Sequence, residues 1–311
     1  MTHSDFLEQD FFKHHGLEQD GRFNVHDQYL PLERNQAWNA GWCAFTDFRP
    51  VGVTWHWTAT WDLETCDRLL GGACPERRGQ ASAHYGVGRS FDEGVSRYVS
   101  LEDRSWHAGK NQLLRWDGNP KIHADEKGAR TTVGVETVNI GYARSGVEPE
   151  EDWIAADDLE GETRMLVQPW TDEQIEMMIA VGREIVTRWP HMGPRDHHGH
   201  HDLCPGYKVD VAGFPFARVL RGIYDDPSLP DPWSDTWTAS GRRRALERLG
   251  YLPSSRIHDD RWYRLDDLAL RRFQQDHGLV VNGWWTTAVA WAVHDAIADS
   301  TSEESAPTGR E

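Results

Sequence analysis

The chain has 311 residues, enough for one full-sized core and a smaller domain. Its 33 Lys and Arg stand against 50 Asp and Glu, a formal net charge of -17. That balance excludes a general nucleic-acid or anionic-membrane binder, because both need a basic footprint.

No apolar run approaches the roughly 18 residues of a membrane span. The opening Met1 to Asp10 has neither a basic n-region nor an apolar h-region, so a chain made in the cytoplasm is expected. The four cysteines, Cys43, Cys66, Cys74 and Cys204, show no CxxC spacing, which argues against a zinc ribbon or a redox motif. A bridge between Cys66 and Cys74 stays open. For most of the sixteen Trp, core filling is the expected role.

Residues 1–48 are polar and aromatic without periodicity and are expected to wrap the main domain. Pro50 to His56 is rich in β-branched and aromatic residues and predicts a strand with His56 near its end. Ala83 to Arg89 predicts a second strand, on which His84 and Tyr85 point to opposite faces. Ser105 to Gly109 reads as a loop holding Trp106 and His107. Thr131 to Val138 is a third strand: Val133, Val135 and Thr137 share one face, and Glu136 is on the other. A carboxylate in so apolar a strand faces solvent at an edge or is placed for use, and burial would raise its pKa toward that of a general base or acid.

Residues 143–170 hold eight acidic side chains, which predicts a solvated insertion. A helix follows, with Thr171 as N-cap and Gln174 three residues on. Ile175, Met178, Ile179, Ile185, Val186 and Trp189 recur at helical spacing, and Pro190 stops it. The helix leads to the most chemically loaded stretch of the chain, Gly199 to Asp210. Two imidazoles, two carboxylates, a thiol and an ammonium lie within twelve residues, around the Pro205-Gly206 turn. This stretch reads either as part of a metal site or as a solvated His-rich loop formed by His197, His198, His200 and His201.

Beyond a Pro- and Asp-rich segment, three helices are predicted. The first is capped by Ser240 and ends at Leu249-Gly250, the second runs from about Asp266 to Gly278, and the third runs from about Thr287 through Ile297. Residues 299–311 are rich in Ser, Thr and Glu and predict a disordered tail.

Five segments occur in order: Trp55-His56-Trp57-Thr58-Ala59, Ser82-Ala83-His84-Tyr85, Trp106-His107-Ala108-Gly109, Gly134-Val135-Glu136, and Gly199-His200-x-Asp202 through Pro205-Gly206-x-Lys208-x-Asp210. Together they resemble the zinc N-acetylmuramoyl-L-alanine amidases, which share a fold with the peptidoglycan recognition proteins. The resemblance covers roughly residues 49 to 222. It implies an α/β fold with a mixed central sheet flanked by helices, a Zn2+ ion held by His56, His200 and Asp210, and catalytic roles for Glu136 and Lys208. His84, Tyr85, Trp106 and His107 would line the groove or buttress the ligands, and Asp202 would support a ligating histidine. The family's usual Arg after the second histidine is His201 here.

Leu249-Gly250-Tyr251-Leu252-Pro253 and Phe273-Gln274-x-x-His277-Gly278-Leu279 through Gly283 resemble the peptidoglycan-binding three-helix repeat. After Gly283 this chain departs from that pattern, with Trp284-Trp285-Thr286-Thr287. The expected division is an extension at 1–48, an amidase domain at 49–222, a linker at 223–237, a small all-α domain at 238–298 and a tail at 299–311.

The implied partner is peptidoglycan or its muropeptides, with phage or injection-apparatus proteins as further partners of an endolysin or a delivered lytic enzyme. Such an enzyme would act on the cell wall or periplasmic peptidoglycan after release or delivery. A cytoplasmic muropeptide-recycling amidase and a non-catalytic recognition protein are the alternatives.

Overall fold

The computed structural model describes residues 17, 21–29, 42–43, 48–71, 81–108, 128–254 and 259–304. The α/β expectation holds. Six strands form the central sheet: β1 (Val25–Asp27), β3 (Gly52–Trp57), β4 (Tyr85–Val87), β5 (Val95–Arg97), β7 (Thr132–Thr137) and β10 (His197–Gly199). Their spatial order is β1-β5-β4-β7-β3-β10, and only the β4–β5 pair is antiparallel. Two short strands, β2 (Trp42–Cys43) and β6 (Arg104–Ser105), pair to one side.

Helices close the sheet. These are α1 (Leu63–Leu70), α2 (Gly128–Thr131), α3 (Asp172–Arg188), α4 (His200–Leu203) and α5 (Phe216–Tyr224). Helix α3 starts where its sequence says, with Thr171 Oγ1 accepting from Gln174 N. The expected capping box forms only by half. The Gln174 amide instead donates to the carbonyls of Val87 and Val138 and ties the helix to the sheet. Trp55, Val53, Val133 and Val135 fill one face of the sheet together with Phe214 and the apolar side of α3.

The acidic stretch 143–170 departs from the solvated insertion expected of it. It folds into an antiparallel hairpin, β8 (Ile154–Asp157) with β9 (Arg164–Val167), and buries Trp153, Ala156, Leu159, Met165, Val167 and Trp170. The reason is alternation: every second residue of β9 points into the core while the acidic side chains point out. Asp157 is the exception, buried because its carboxylate accepts from the N–H of Ala239.

The three C-terminal helices are present: α6 (Ala239–Arg248), α7 (Arg264–Asp276) and α8 (Thr287–Glu304). Thr238, not Ser240, caps α6, since its hydroxyl accepts from Gly241 N at 3.3 Å. These helices share one continuous core with the sheet. The hairpin is their seat: Arg242, fully buried, donates to the carbonyls of Asp157 and Asp158, and Trp285 N donates to Leu159 O at 2.8 Å. Within the segment expected as a linker, Trp233 is buried and stacks on Trp237 at 3.8 Å.

Candidate active site

The parallel strands β3, β7 and β10 deliver their carboxyl ends to one edge of the sheet, where open α/β sheets bind ligands. Register does the selecting. His56 lies directly opposite Glu136, and Trp55 opposite Gly199, so the next residue, His200, emerges level with His56. Side chains opposite one another across a ladder share a face. The alternation that sends Val133, Val135 and Thr137 inward therefore aims Glu136 at the two imidazoles. Asp210 arrives from the loop after α4, whose path is held by His201 N donating to Asp210 O.

Three ligand atoms converge. His56 Nδ1 and His200 Nδ1 are 3.0 Å apart, and Asp210 Oδ2 is 3.0 Å from His200 Nδ1 and 3.4 Å from His56 Nδ1. All three side chains are buried. The histidines open to a surface reading in the sequence, His197, His198, His200 and His201, are all buried as well.

The proton on His56 can be placed. His107 Nε2 must donate to the Thr132 carbonyl, 3.0 Å away, because a carbonyl only accepts. Its Nδ1 is then an acceptor and takes the proton of His56 Nε2 at 2.9 Å. His56 Nδ1 is left with a bare lone pair aimed at a second imidazole nitrogen and a carboxylate oxygen. A single proton on His200 Nδ1 must be shared between two acceptors and still leaves lone pairs of His56 Nδ1 and Asp210 Oδ2 facing each other at 3.4 Å, whereas a cation between the three atoms suits them all. Two imidazoles and one carboxylate with a further position open suit zinc.

Burial pushes the His56 imidazole down to about 4, helped by the neighbouring His200, so it is neutral at physiological pH. For Asp210, burial acts to raise the pKa, but the charges and hydrogen bonds of His200 and His56 hold the carboxyl well below its usual range. Glu136 goes the other way. Burial and the Asp210 carboxylate push it up to about 8, with the Lys208 ammonium pulling against them. Its Oε1 is 4.0 Å from His56 Nδ1. Two carboxyls on one cluster with oppositely shifted pKa values is the pattern of divided ligand and acid–base roles.

The supporting residues sort differently from the expectation. His107 belongs to the site, as the partner that fixes the His56 tautomer. Gly134 makes room for it: a Cβ there would fall 2.3 Å from His107 Cγ. His84 is one layer removed, with Nε2 donating to Asp103 O and Nδ1 accepting from Ser105 Oγ and Gly134 N. Tyr85 points to the opposite face of the sheet, against Glu184 and Arg97, and does not reach the cluster. Trp106 packs under the Arg104 guanidinium at 5.9 Å, and its backbone N–H donates to Ser82 Oγ.

Asp202, expected behind a ligand, turns elsewhere. Its carboxylate accepts from Gly199 N at 2.8 Å, and from Thr287 N and Oγ1 at 2.8 and 2.7 Å. It thus joins the residue before His200 to the start of α8. Nothing along the chain marks Thr287 in advance, because its role depends on a contact 85 residues away.

Cys66 is a free thiol, buried beneath the Tyr98 hydroxyl at 3.2 Å, while Cys74 lies outside the described residues. Among the described residues, no helix is long and apolar enough to cross a membrane.

The sheet edge brings two buried imidazoles, an ionised carboxylate and a protonatable carboxyl to one point, a group that could hold a metal ion beside an acid–base residue. The profile of the N-acetylmuramoyl-L-alanine amidases matches residues 46–210, and the chain belongs to that family. It is an N-acetylmuramoyl-L-alanine amidase by that membership, acting on peptidoglycan.

Among solved structures, the chain is similar to the amidase AmiD from E. coli in complex with anhydro-N-acetylmuramic acid-L-Ala-D-gamma-Glu-L-Lys. Identity is 18%, over 83% of this chain and 91% of that one, with a TM-score of 0.45. It is also similar to AmpDH3 from Pseudomonas aeruginosa, at 20% identity over 83% and 94% of the two chains, with a TM-score of 0.44. A third is the PlyG catalytic domain, at 13% identity over 67% and 100%, with a TM-score of 0.40. No curated protein sequence matches the chain.

Proposed function

We propose that this amidase is a zinc hydrolase that cuts the bond between the lactyl carbonyl of N-acetylmuramic acid and the nitrogen of L-alanine. The observation that carries the reading is the convergence of His56 Nδ1, His200 Nδ1 and Asp210 Oδ2 beside a Glu136 carboxyl raised to about 8. Zinc bound there supplies Lewis-acid polarisation of the scissile carbonyl and a lowered pKa for the attacking water.

The chain's own residues do the rest. Glu136, once ionised, takes the proton that the attacking water gives up as its oxygen adds to the carbonyl carbon. It then hands that proton to the alanine nitrogen as the C–N bond breaks, leaving a lactyl carboxylic acid and a free amine, and the acid's proton passes to the amine or to solvent. Lys208, whose charge reaches both Glu136 and His56, offers an ammonium to the oxyanion that forms on the carbonyl oxygen. His107 keeps His56 in the tautomer that presents Nδ1. The C-terminal helices, residues 238–298, serve in this reading as a wall-binding unit. The enzyme acts as an endolysin or as a lytic enzyme delivered to the wall by phage or injection proteins.

Metal analysis and sacculus digestion, run side by side on the wild type and His200→Ala, test the reading. About one zinc per chain and release of L-alanine amino termini are expected, with both lost in the variant. A wild type that binds zinc and cuts no amide would sink the hydrolase. A marked preference for soluble anhydromuropeptides over insoluble sacculi would sink the lytic role and favour a recycling enzyme.

A further inference from the structure

Beside the loop that carries Lys208 and Asp210 lies a cleft that the catalytic cluster does not use. It encloses ≈ 410 Å³ between the β8–β9 turn and the C-terminal helices. Trp262 and Trp284 form its aromatic walls, Glu160 its rim, and Asn282, Asp267 and Arg271 its polar lining.

Each wall is fixed before any ligand arrives. Trp284 Nε1 donates to Glu160 Oε1 at 2.9 Å, which locks the indole plane. Trp262 is pressed against the backbone of the hairpin turn, where a Cβ on Gly161 would fall 2.9 Å from its Cγ, and it meets Trp285 edge-on at 6.4 Å. Rigid indoles with one face partly open suit the flat, weakly polar C–H face of a pyranose ring.

The loop beneath the walls is held just as firmly. Gln274 Oε1 accepts from the backbone N–H groups of Asn282 and Gly283, so its amide nitrogen faces Asn282 Oδ1. That oxygen also accepts from Trp284 N at 2.9 Å. The orientation of Asn282 is thereby settled, and with it the loop that carries Trp284. The charges argue against an anionic ligand. Arg271 is engaged by Asp267 through two contacts at 2.9 and 3.1 Å, and Glu160 stands at the rim.

The cleft is continuous with the catalytic loop. A Cβ on Gly206 would lie 3.3 Å from Glu160 Oε1 and 3.9 Å from Trp284 Cζ2. Gly206 is two residues from Lys208, so their Cα atoms are at most about 7 Å apart and the rim adjoins the loop that carries the lysine.

We propose that this cleft is a saccharide subsite. It takes the stretch of glycan that continues from the muramyl residue whose amide is cut, and so favours polymer over monomer. The proposal rests on the amidase reading for the direction of the strand, but the cleft's affinity for sugar can be measured without it.

The test uses the full chain and two probes. In a peptide-free oligomer of N-acetylglucosamine followed by tryptophan fluorescence, saturable binding is expected for the wild type. Binding should be weakened about 10-fold or more by Trp262→Ala and by Trp262→Leu. The second variant keeps an apolar side chain against Gly161 and removes the flat ring face, so it carries the test if Trp262→Ala does not fold. In hydrolysis, both variants should lose about 10-fold on sacculi and keep the wild-type rate on a monomeric muramoyl peptide.

No saturable binding by the wild type overturns the proposal, and so does an equal loss on both substrates. A wild type that binds the oligomer yet cleaves neither substrate keeps the subsite and removes the amidase reading.

Discussion

Glu136 concentrates the chemistry at the scale of single residues. Burial and the Asp210 carboxylate raise its carboxyl to about 8 against the pull of Lys208, and a further cation in the cluster would draw it down. The acid limb of kcat/KM is therefore expected between the ordinary carboxylate value of 4.5 and about 8. A pH–rate profile measures it, and a limb at or below 4.5 would assign the proton transfer to another group. Glu136→Gln should cost about 10²–10⁴ in rate while zinc stays bound.

Buried histidines give a separate handle on stability. Burial lowers His84 to about 4 and His197 to about 3, against 6.5 unfolded. Between those values the unfolded chain takes up protons that the folded one refuses. Stability is thus full above pH 6.5 and is lost as pH falls toward 4 and then 3. Each imidazole costs about 1.4 kcal/mol for every pH unit crossed in that window. Urea midpoints at pH 7 and pH 5 check this; equal midpoints would mean that these imidazoles titrate normally.

At the scale of elements, the ladder between β3 and β7 explains why so much of the site was legible. Strand periodicity alone separates Val133, Val135 and Thr137 from Glu136, and the parallel register then sets Glu136 against His56. The buried state of His197 and His198 was not legible, because their polar side chains lie on a strand too short to show a period. The hairpin at 154–167 was missed for a related reason. Eight acidic residues mask an alternation carried by Ala156, Met165 and Val167. The absent side chain at Gly134 was readable as sequence but not as a requirement, since the ring that fills its space comes from a distant loop. Gly134→Ala is expected to displace His107 and weaken zinc retention about 10-fold, measured by competition with a chelator. Unchanged retention would show that the His56 tautomer needs no such partner.

Asp202 makes the same point between elements. It serves the loop before His200 and the first turn of α8 with one carboxylate. Thr287→Val removes the hydroxyl donor while keeping the backbone one. A hydrogen bond to a charged group contributes about 1.5–3 kcal/mol, so a fall in thermal midpoint is expected, together with poorer zinc retention. A fall in midpoint with full zinc retention would confine Thr287 to holding the helix.

At the scale of the whole molecule, three helices that read as a separate module are built into the same core as the sheet. Trp233, Phe273, Trp285 and Val289 belong to one apolar cluster with Trp55 and Val135. Chain order could not show this, because the contacts that weld the halves run from Asp157 to Ala239 and from Asp202 to Thr287. Calorimetry of the metal-free protein is expected to give one cooperative transition. Two resolved transitions would restore an independent module. Removal of residues 238–304 should leave an insoluble remainder and not a free catalytic domain, because it breaks the Arg242 bonds to the hairpin and the Trp285 N bond to Leu159 O and splits the shared core.

The Asp202–Thr287 bond also sets a timetable. His200 and Asp202 leave the ribosome well before the helix that steadies them, since 85 residues separate Asp202 from Thr287. At about 5–20 residues per second, that leaves roughly 4–17 s in which the enzyme's centre exists as sequence but not as a finished site. Timed proteolysis of nascent chains reads this interval directly. Protection of the His200 region before Thr287 has been made would show that the centre forms on its own. Protection only afterwards would make the last helix the step that switches the enzyme on.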